Sequence, residues 1–163
     1  VTDVAMNIAP NLQEKIAIVN NSVACLNRLG IEMPKVAVLG AVEMVSENMQ
    51  ATLDAALLSK MNQREQIRHC IIDGPLAFDN AISLESATHK GIKSDVAGDT
   101  DLLLMPDIEV GNVLYKSLVF FAHAGVAAVI LGATAPIVLT SRSDSDQAKY
   151  DSIVLAAAIS RQE

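Results

Sequence analysis

The chain has 163 residues, 51% of them hydrophobic, and a formal net charge of −7. That length and composition fit one domain with its own core and argue against a disordered chain. With 3% aromatic residues, no tryptophan and a negative charge, the chain lacks the features of a nucleic-acid-binding protein. No apolar run reaches the length of a membrane span, and the N-terminus shows no secretory signal pattern. We therefore expect a cytoplasmic protein that has neither nucleic acid nor membrane as a partner.

Helical periodicity dominates the first third of the chain. Apolar residues spaced by three and four predict an amphipathic helix from about Pro10 to Gly30. A second helix is predicted from about Gln50, and part of the stretch 76–90 is predicted to be helical. The residues expected to face the core from the first two helices are Leu12, Ile16, Val19, Val23, Leu26, Leu53, Ala56, Leu57 and Met61.

Short apolar runs, polar on neither face, predict strands that are covered on both sides. Four such runs are residues 36–39, 70–72, 102–105 and 126–131, and residues 136–139 are a candidate fifth strand. The Asp-Gly-Pro sequence at residues 73–75 is expected to stop the second strand.

Two further helices complete the pattern. One is predicted from about Asn112, and the last follows a cap at Ser145 or Asp146. Their expected buried residues are Val113, Leu114, Leu118 and Phe121 in the former, and Ile153, Val154, Ala157 and Ile159 in the latter. Because strands alternate with helices, we predict an α/β fold with a mostly parallel sheet and helices on both faces.

Common site motifs are absent from the sequence. There is no G-x-G-x-x-G, no G-x-x-x-x-G-K-[ST] and no G-x-S-x-G, which argues against a dinucleotide fingerprint, a P-loop and a hydrolase elbow. The three histidines, His69, His89 and His123, have no cysteine or carboxylate at ligand spacing, so we expect no metal site. Cys25 and Cys70 fall among apolar neighbours and are expected to be reduced core thiols.

Segments rich in Gly, Pro, Asp and Asn follow the predicted strands. Open parallel sheets bind ligands beyond these carboxyl ends, although ordinary turn chemistry accounts for the same composition. The segments are residues 40–46, 73–75, 106–112 and 132–142. Lys116 near them is either a solvated helix residue or a ligand contact. Arg142 is either part of a helix-start ion pair or a guanidinium that binds phosphate or stabilises an oxyanion.

Three blocks of the chain, in order, carry a resemblance to a known family. They are Cys70-Ile-Ile-Asp-Gly-Pro-Leu-Ala-Phe-Asp-Asn-Ala81, residues 96–116 with Gly111-Asn112, and residues 132–142 ending in Ser141-Arg142. These blocks resemble the phosphate acyltransferases of the phosphotransacetylase and phosphotransbutyrylase family, the first block in its butyryl form. The resemblance is collinear from about residue 2 to the C-terminus.

The resemblance implies a phosphotransacetylase-like fold, similar to that of isocitrate and isopropylmalate dehydrogenases, with the active site between two α/β domains. It implies an enzyme that transfers a short acyl group, here butyryl, between CoA and inorganic phosphate without a metal or a dissociable cofactor. Acyl-CoA and phosphate are the implied substrates, and a homodimer is the implied assembly. The alternatives are an acetyl or branched-chain acyl enzyme, a non-catalytic ligand-binding or regulatory domain, and a piece that serves only assembly.

The resemblance also implies roles for individual residues. Arg142 would bind phosphate or the developing negative charge, and Ser141 would assist through its hydroxyl. A carboxylate shortly after them would activate the nucleophile or position the leaving thiolate, with Asp146 as our first choice, Asp144 as the second and Asp151 as the third. The residues implied to bind substrate are Asp73, Gly74, Pro75, Gly111, Asn112 and Lys116.

Members of the family are roughly twice as long as this chain, which also begins without methionine, so we expect a piece of a longer protein. Residues 1–143 would form the second α/β domain, and residues 144–163 a helix that returns to the first domain. Because the implied cleft needs both walls to orient two substrates, we expect this chain to fold but to show little acyl transfer by itself.

Overall fold

A three-stranded parallel sheet forms the centre of the molecule. In the computed structural model, which describes residues 1–160, the sheet has the order β2-β1-β3 and consists of β1 (Lys35–Leu39), β2 (Ile71–Leu76) and β3 (Leu102–Leu104). The central strand pairs through Val36 with Ile72 on one side and with Leu102 on the other. The α/β class and the parallel sheet expected from the sequence are confirmed.

Six helices surround this sheet in the described part of the chain. They are α1 (Leu12–Arg28), α2 (Gln50–Gln63), α3 (Phe78–Ile82), α4 (Leu84–His89), α5 (Ile108–Phe120) and α6 (Asp146–Ser160). The last three residues of the segment expected to return to another domain, 161–163, lie outside the described residues. No helix among residues 1–160 is long and apolar enough to cross a membrane.

The first helix shows how local sequence produces the predicted element. Asn11 accepts a hydrogen bond from the backbone N–H of Glu14 at 3.1 Å, and the Glu14 carboxylate accepts one from the N–H of Asn11 at 2.8 Å. This reciprocal cap satisfies two of the amide groups that a helix start leaves unpaired. Val19 and Val23, four residues apart, are buried on its inner face as predicted. The chain leaves the helix at Gly30, whose φ of +92° favours glycine.

Side chains of the central strand alternate between two cores. Val36 and Val38 pack in a cluster with residues of α1 and α2, whereas Ala37 and Leu39 pack in a second cluster with residues of α3 and α4. This alternation is the period of two that a strand imposes on its side chains. Both faces of the sheet are therefore covered by helices, which explains why the strand sequences are apolar throughout.

A buried ion pair joins the two helices on one face. The Lys15 ammonium of α1 lies 2.6 Å from the Asp54 carboxylate of α2, and both side chains are 5% exposed. Gln50 donates a further hydrogen bond of 2.8 Å to Asp54. Two charges out of contact with water persist when they are paired and hydrogen-bonded, as they are here.

The predicted strands at residues 126–131 and 136–139 are wrong. Between them the structure contains a single antiparallel bridge, Ile130 with Ile137. The reason lies in the sheet edges, because both are already occupied. Thr2 hydrogen-bonds along β3, with its N–H donating to Leu103 at 2.9 Å. On the other edge, the Asn62 side chain accepts the N–H of Ile72 at 3.0 Å and donates to the carbonyl of Cys70 at 3.0 Å.

An apolar run becomes a strand only where an unpaired edge can accept it. Residues 126–131 lie against α6 instead, where the N–H of Ala128 donates to the Ser152 hydroxyl at 3.0 Å. The same segment is only partly buried along its length.

The predicted buried faces of three helices need correction. Val113 on α5 is 65% exposed, and Phe121, which lies just beyond α5, is 85% exposed. In α6 the inner face is formed by Ala148, Ser152, Ala156 and Ile159. The predicted core residues Ile153, Val154 and Ala157 are therefore exposed. In α2, Leu57 is likewise exposed. Helices this rich in apolar residues contain several candidate stripes, and the neighbouring elements decide which one is buried.

Candidate functional site

The Asp-Gly-Pro block lies inside a strand and not after one, contrary to the sequence prediction. β2 continues through residues 73–75, and its pairing with β1 shifts register opposite them, between Ala37 and Leu39. A Cβ atom on Gly74 would lie 2.6 Å from the Val38 carbonyl oxygen, so only glycine allows the two strands to approach. The Asp73 carboxylate accepts the N–H of Gly74 at 2.8 Å. Strand packing therefore accounts for Gly74 without a ligand.

Gly111 and Asn112 hold the N-terminal segment against α5. A Cβ on Gly111 would lie 2.2 Å from the backbone oxygen of Asp3. The Asn112 side chain donates to the backbone oxygen of Val4 at 3.1 Å. Lys116, one turn further along the same helix, is exposed. The contacts of Gly111 and Asn112 within the described chain are structural, and substrate binding by these residues stays a prediction.

Asp144 is the polar centre of the turn that precedes α6. Its Oδ2 atom accepts the backbone N–H of Ser141 at 2.6 Å, and its Oδ1 atom accepts the Tyr115 hydroxyl at 3.1 Å. The Ser141 and Ser143 hydroxyl oxygens are 3.0 Å apart, within hydrogen-bond distance. Ser145 caps α6 by accepting the N–H of Ala148 at 3.2 Å, one of the two caps considered from the sequence. One carboxylate thus joins the Ser-Arg turn to α5.

The three candidate carboxylates have different surroundings. Asp144 contacts Ser141 directly. The Asp146 side chain is fully exposed and pairs with Lys149 at 3.2 Å. Asp151 accepts a 2.8 Å hydrogen bond from Gln147. Asp144 and Asp151 both line a cavity of about 240 Å³ between the end of α5 and the start of α6. Asp146, our first choice from the sequence, is thus the carboxylate turned towards solvent; its catalytic role stays a prediction.

Arg142 is exposed beside this turn. Among the carboxylates of residues 1–160, none forms an ion pair with its guanidinium. The helix-start ion pair considered from the sequence is therefore absent from the described chain. A guanidinium without a carboxylate partner can offer its planar donors to an external anion.

Two groups of predicted site residues emerge. Asn112, Tyr115 and Lys116 share one side of α5 because they are three and four residues apart, and Tyr115 connects that side to the Ser-Arg turn. The Asp-Gly-Pro block lies in β2, on the opposite side of β1 from β3. No hydrogen bond or ion pair among residues 1–160 joins the two groups, so their convergence on one ligand stays a prediction.

A polar network at the carboxyl end of the sheet was not anticipated. Lys90 lies 2.9 Å from Glu43 and 3.0 Å from Asp79, and Ser86 donates to Asp79 at 2.6 Å. The buried Asn80 side chain donates to Glu43. Hydrogen bonds to Glu43 and Asp79 raise the pKa of Lys90. The network ties the segment after β1 to α3 and α4. Its members come from separate segments, so no local spacing could reveal it.

The two cysteines differ in exposure. Both cysteines are free thiols, as expected, with Cys70 buried and Cys25 partly buried. Burial raises the pKa of Cys70 to about 11, so this thiol stays protonated and is a poor nucleophile at neutral pH. Across residues 1–160 there is no cluster of three or more His, Cys, Asp or Glu side chains that could hold a metal ion.

Comparison with known proteins identifies the group to which this architecture is similar. A family model described as Phosphate acetyl/butaryl transferase matches residues 1–157. A phosphate acetyltransferase of Thermotoga maritima is 52% identical over 157 residues, which are 96% of this chain and 53% of that protein. A probable phosphate butyryltransferase of Bacillus subtilis is 56% identical over 162 residues, which are 99% of this chain and 54% of that protein.

A solved structure agrees with the sequence matches. The crystal structure of a branched-chain phosphotransacylase from Enterococcus faecalis superposes with a TM-score of 0.91 at 39% identity. The match covers 99% of this chain and 58% of that one. The chain thus spans about half the length of the curated relatives it matches, 53% and 54% for the two named above.

Proposed function

The chain belongs to the phosphate acetyl/butyryl transferase family, and from that membership we propose that it is part of an enzyme that transfers a short acyl group, butyryl, between CoA and inorganic phosphate. The observation that carries the proposal is the Ser141-Arg142 turn. Its guanidinium is exposed and pairs with no carboxylate of residues 1–160, and its serine backbone is held by Asp144. A positioned guanidinium beside a hydroxyl suits a reaction in which a phosphate anion attacks a thioester.

The proposed reaction is a direct displacement. A phosphate oxygen attacks the thioester carbonyl, the new C–O bond forms, the C–S bond breaks, and the proton of the phosphate ends on the CoA thiol. Arg142 holds the phosphate, or the negative charge that develops on the carbonyl oxygen, through two parallel hydrogen bonds. The Ser141 hydroxyl donates to the developing negative charge. The proposed displacement requires neither a metal nor a dissociable cofactor.

Asp144 acts on Ser141 and not on phosphate. Its two described hydrogen bonds, from Ser141 and from Tyr115, direct its oxygens towards the turn and towards α5. Asp151, which lines the same cavity, and Asp146 remain the alternatives for the carboxylate that would activate the nucleophile or position the leaving thiolate.

This chain's wall of the proposed cleft is completed by the substrate-binding residues predicted from the sequence, which are Asp73 to Pro75, Gly111, Asn112 and Lys116. We propose that residues 1–143 are the second α/β domain of the enzyme and that residues 144–163 return to a first domain. The exposed apolar side chains of α6, Tyr150, Ile153 and Val154, support a partner surface there. A cytoplasmic homodimer is the proposed setting.

The identity of the acyl group is the part of the proposal that has a specific alternative. The relatives carry the names phosphate acetyltransferase, probable phosphate butyryltransferase and branched-chain phosphotransacylase. The TM-score of 0.91 to the last of these favours a branched-chain acyl group as the second candidate. A non-catalytic ligand-binding domain is the alternative from another class.

The test compares this chain with the longer protein that contains it. Each is incubated with phosphate and acetyl-, butyryl- or isobutyryl-CoA. Thioester loss is followed by ultraviolet absorbance, because the partly buried Cys25 would react with a thiol reagent. We expect the longer protein to prefer butyryl-CoA and this chain to be nearly inactive, since half a cleft cannot orient two substrates. Phosphate binding without thioester loss by the longer protein would favour the non-catalytic alternative. Rapid conversion by this chain alone would contradict a cleft between two domains.

A further inference from the structure

We propose that Tyr115 is a positioning residue for this reaction, which acts through Asp144 on the backbone of Ser141. The catalytic consequence of this inference rests on the proposed function, whereas the hydrogen bonds from Tyr115 to Asp144 and from Ser141 to Asp144 do not depend on it. Tyr115 donates to Asp144 at 3.1 Å, and Asp144 accepts the Ser141 N–H at 2.6 Å. These two hydrogen bonds form one continuous path from α5 to the residue that precedes Arg142.

The starting point of the path is fixed by the packing of α5. Asp107 caps this helix by accepting the N–H of Val110 at 2.9 Å. Gly111 packs directly against the N-terminal segment, and Leu114 packs against one of the two cores of the sheet. Tyr115 follows Leu114 immediately, so its ring leaves the helix next to these packed residues. A rigid element is the better support for a group that must orient another.

The Ser141-Arg142 turn, at the other end of this path, does not belong to a helix or a strand. Residues 139–145 contain no helix or strand, and the turn is held by short-range bonds such as that between Ser141 and Ser143. The Asp144 carboxylate is the described side chain that connects this turn to α5. Without Tyr115, Asp144 would lose its fixed orientation, and the Ser141 amide would lose a fixed acceptor.

The chemistry of a phenol suits this task. A neutral O–H donor orients a carboxylate without neutralising its charge, whereas a cation in the same place would neutralise it. Burial, together with the negative charge of Asp144 and the hydrogen bond to it, raises the pKa of Tyr115. The phenol therefore keeps its proton, and remains a donor, throughout the neutral range.

The chain offers a matched control. It contains two tyrosines and no tryptophan, and the other tyrosine, Tyr150, is 63% exposed on α6. Tyr150→Phe removes the same hydroxyl from a site outside the proposed path. It also leaves Tyr115 as the sole source of the tyrosinate absorbance band.

The first experiment tests the contact between Tyr115 and Asp144. In the Tyr150→Phe protein, an alkaline absorbance titration should give a pKa for Tyr115 above the ordinary value of about 10. Adding Asp144→Asn removes the negative charge and should lower that pKa. An unchanged titration would show that the two side chains do not meet, and would overturn the proposal.

The second experiment tests whether Tyr115 affects the backbone amide of Ser141, and it needs no activity measurement. In a proton–nitrogen correlation spectrum of this chain, the Ser141 amide proton should be shifted downfield by its hydrogen bond to the carboxylate. Tyr115→Phe should move that resonance upfield, whereas Tyr150→Phe should leave it in place. If Tyr115→Phe leaves the Ser141 amide unmoved, Tyr115 does not position this turn.

The third experiment tests the consequence in the longer protein. Tyr115→Phe should lower kcat about tenfold, as loss of one hydrogen bond to a charged group predicts, and leave the KM for acyl-CoA within about twofold. Because Tyr115 acts through Asp144, adding Tyr115→Phe to the Asp144→Asn variant should lower kcat no further. Additive losses would contradict a shared path. If the parent protein shows no transfer at all, the proposed function fails, while the amide shift still decides whether Tyr115 positions Ser141.

Discussion

The three-stranded sheet and the segment 121–145 contain similar apolar runs but have different structures. Val36 and Leu104 in the sheet are fully buried, whereas Leu139 in the segment is 65% exposed. The sheet strands meet partners on both sides, while residues 126–131 find both sheet edges occupied, one by Thr2 and the other by Asn62. Composition therefore indicates that a run can be a strand, and the availability of an edge decides whether it becomes one.

The difference bears on function as well as on folding. The sheet and its helices supply a packed scaffold, and the segment carries the Ser141-Arg142 turn. That turn is held by individual polar contacts, above all those of Asp144, and not by a strand ladder. We therefore expect substitutions in the sheet region to change stability, and substitutions in the segment to change activity.

The largest expected effect on stability lies in the buried ion pair of the scaffold. Lys15→Met should lower the free energy of unfolding by about 3–5 kcal/mol, because it leaves the Asp54 charge buried without its partner. Chemical denaturation measures this change. Lys149→Met, which removes the partner of the fully exposed Asp146, is the control and should leave the midpoint unchanged. If the double change Lys15→Met with Asp54→Leu is no more stable than Lys15→Met alone, the unpaired charge is not the cause.

The next effect concerns the segment. In the longer protein, Arg142→Gln should lower kcat by about 10²–10³, or roughly 3–4 kcal/mol in the barrier, because a positioned charge is removed. Thermal stability should barely change, since the side chain is exposed. Arg142→Lys should also be slow, because an ammonium cannot make the planar two-pronged contact. A rate near that of the wild type for Arg142→Gln would remove Arg142 from the mechanism.

A matched pair of leucines tests the comparison directly. Leu104→Ala, in β3 at 0% exposure, should cost about 3 kcal/mol through lost burial and the cavity it leaves. Leu139→Ala, in the segment at 65% exposure, should cost less than about 0.5 kcal/mol. Urea unfolding at a common slope gives both values. Equal costs would mean that the segment is packed as tightly as the sheet.

The smallest effect is the pH dependence from Cys70. Its pKa in the folded protein is about 11, above the usual value near 8.5. Folding therefore favours the protonated thiol, and the associated stability is present below the usual pKa and is lost as the pH rises towards about 11. Cys70→Ala should weaken the alkaline loss of stability measured by denaturation.

The reactivity of the two thiols provides a further comparison of the two regions. Cys25 is partly buried and lines a cavity of about 200 Å³ with residues 131–136 of the segment, whereas Cys70 is 4% exposed beside β2. Iodoacetamide at neutral pH should therefore modify Cys25 faster than Cys70. Equal rates would imply that the start of β2 opens as readily as the segment.

Sequence patterns predicted the scaffold because its signals are local. The spacing of Val19 and Val23, the cap at Asn11 and the apolar runs at β1, β2 and β3 all lie within short windows. The same patterns failed where several stripes compete, as on α5 and α6, where Val113 and Ile153 proved exposed. The site residues came from the resemblance of three blocks, and their roles stay predictions.

By itself, the sequence determined the α/β class, the parallel strands near residues 36–39, 70–72 and 102–105, and the family through its three blocks. Only the tertiary structure decided that residues 126–131 stay out of the sheet. It also decided that Asp144, 29 residues after Tyr115, meets both that phenol and the amide of Ser141. Helix and strand preferences arise from neighbours a few residues apart, so the sequence displays them. Which edge is already occupied, and which side chains meet across a turn, depends on contacts between distant segments that exist only after the chain has folded.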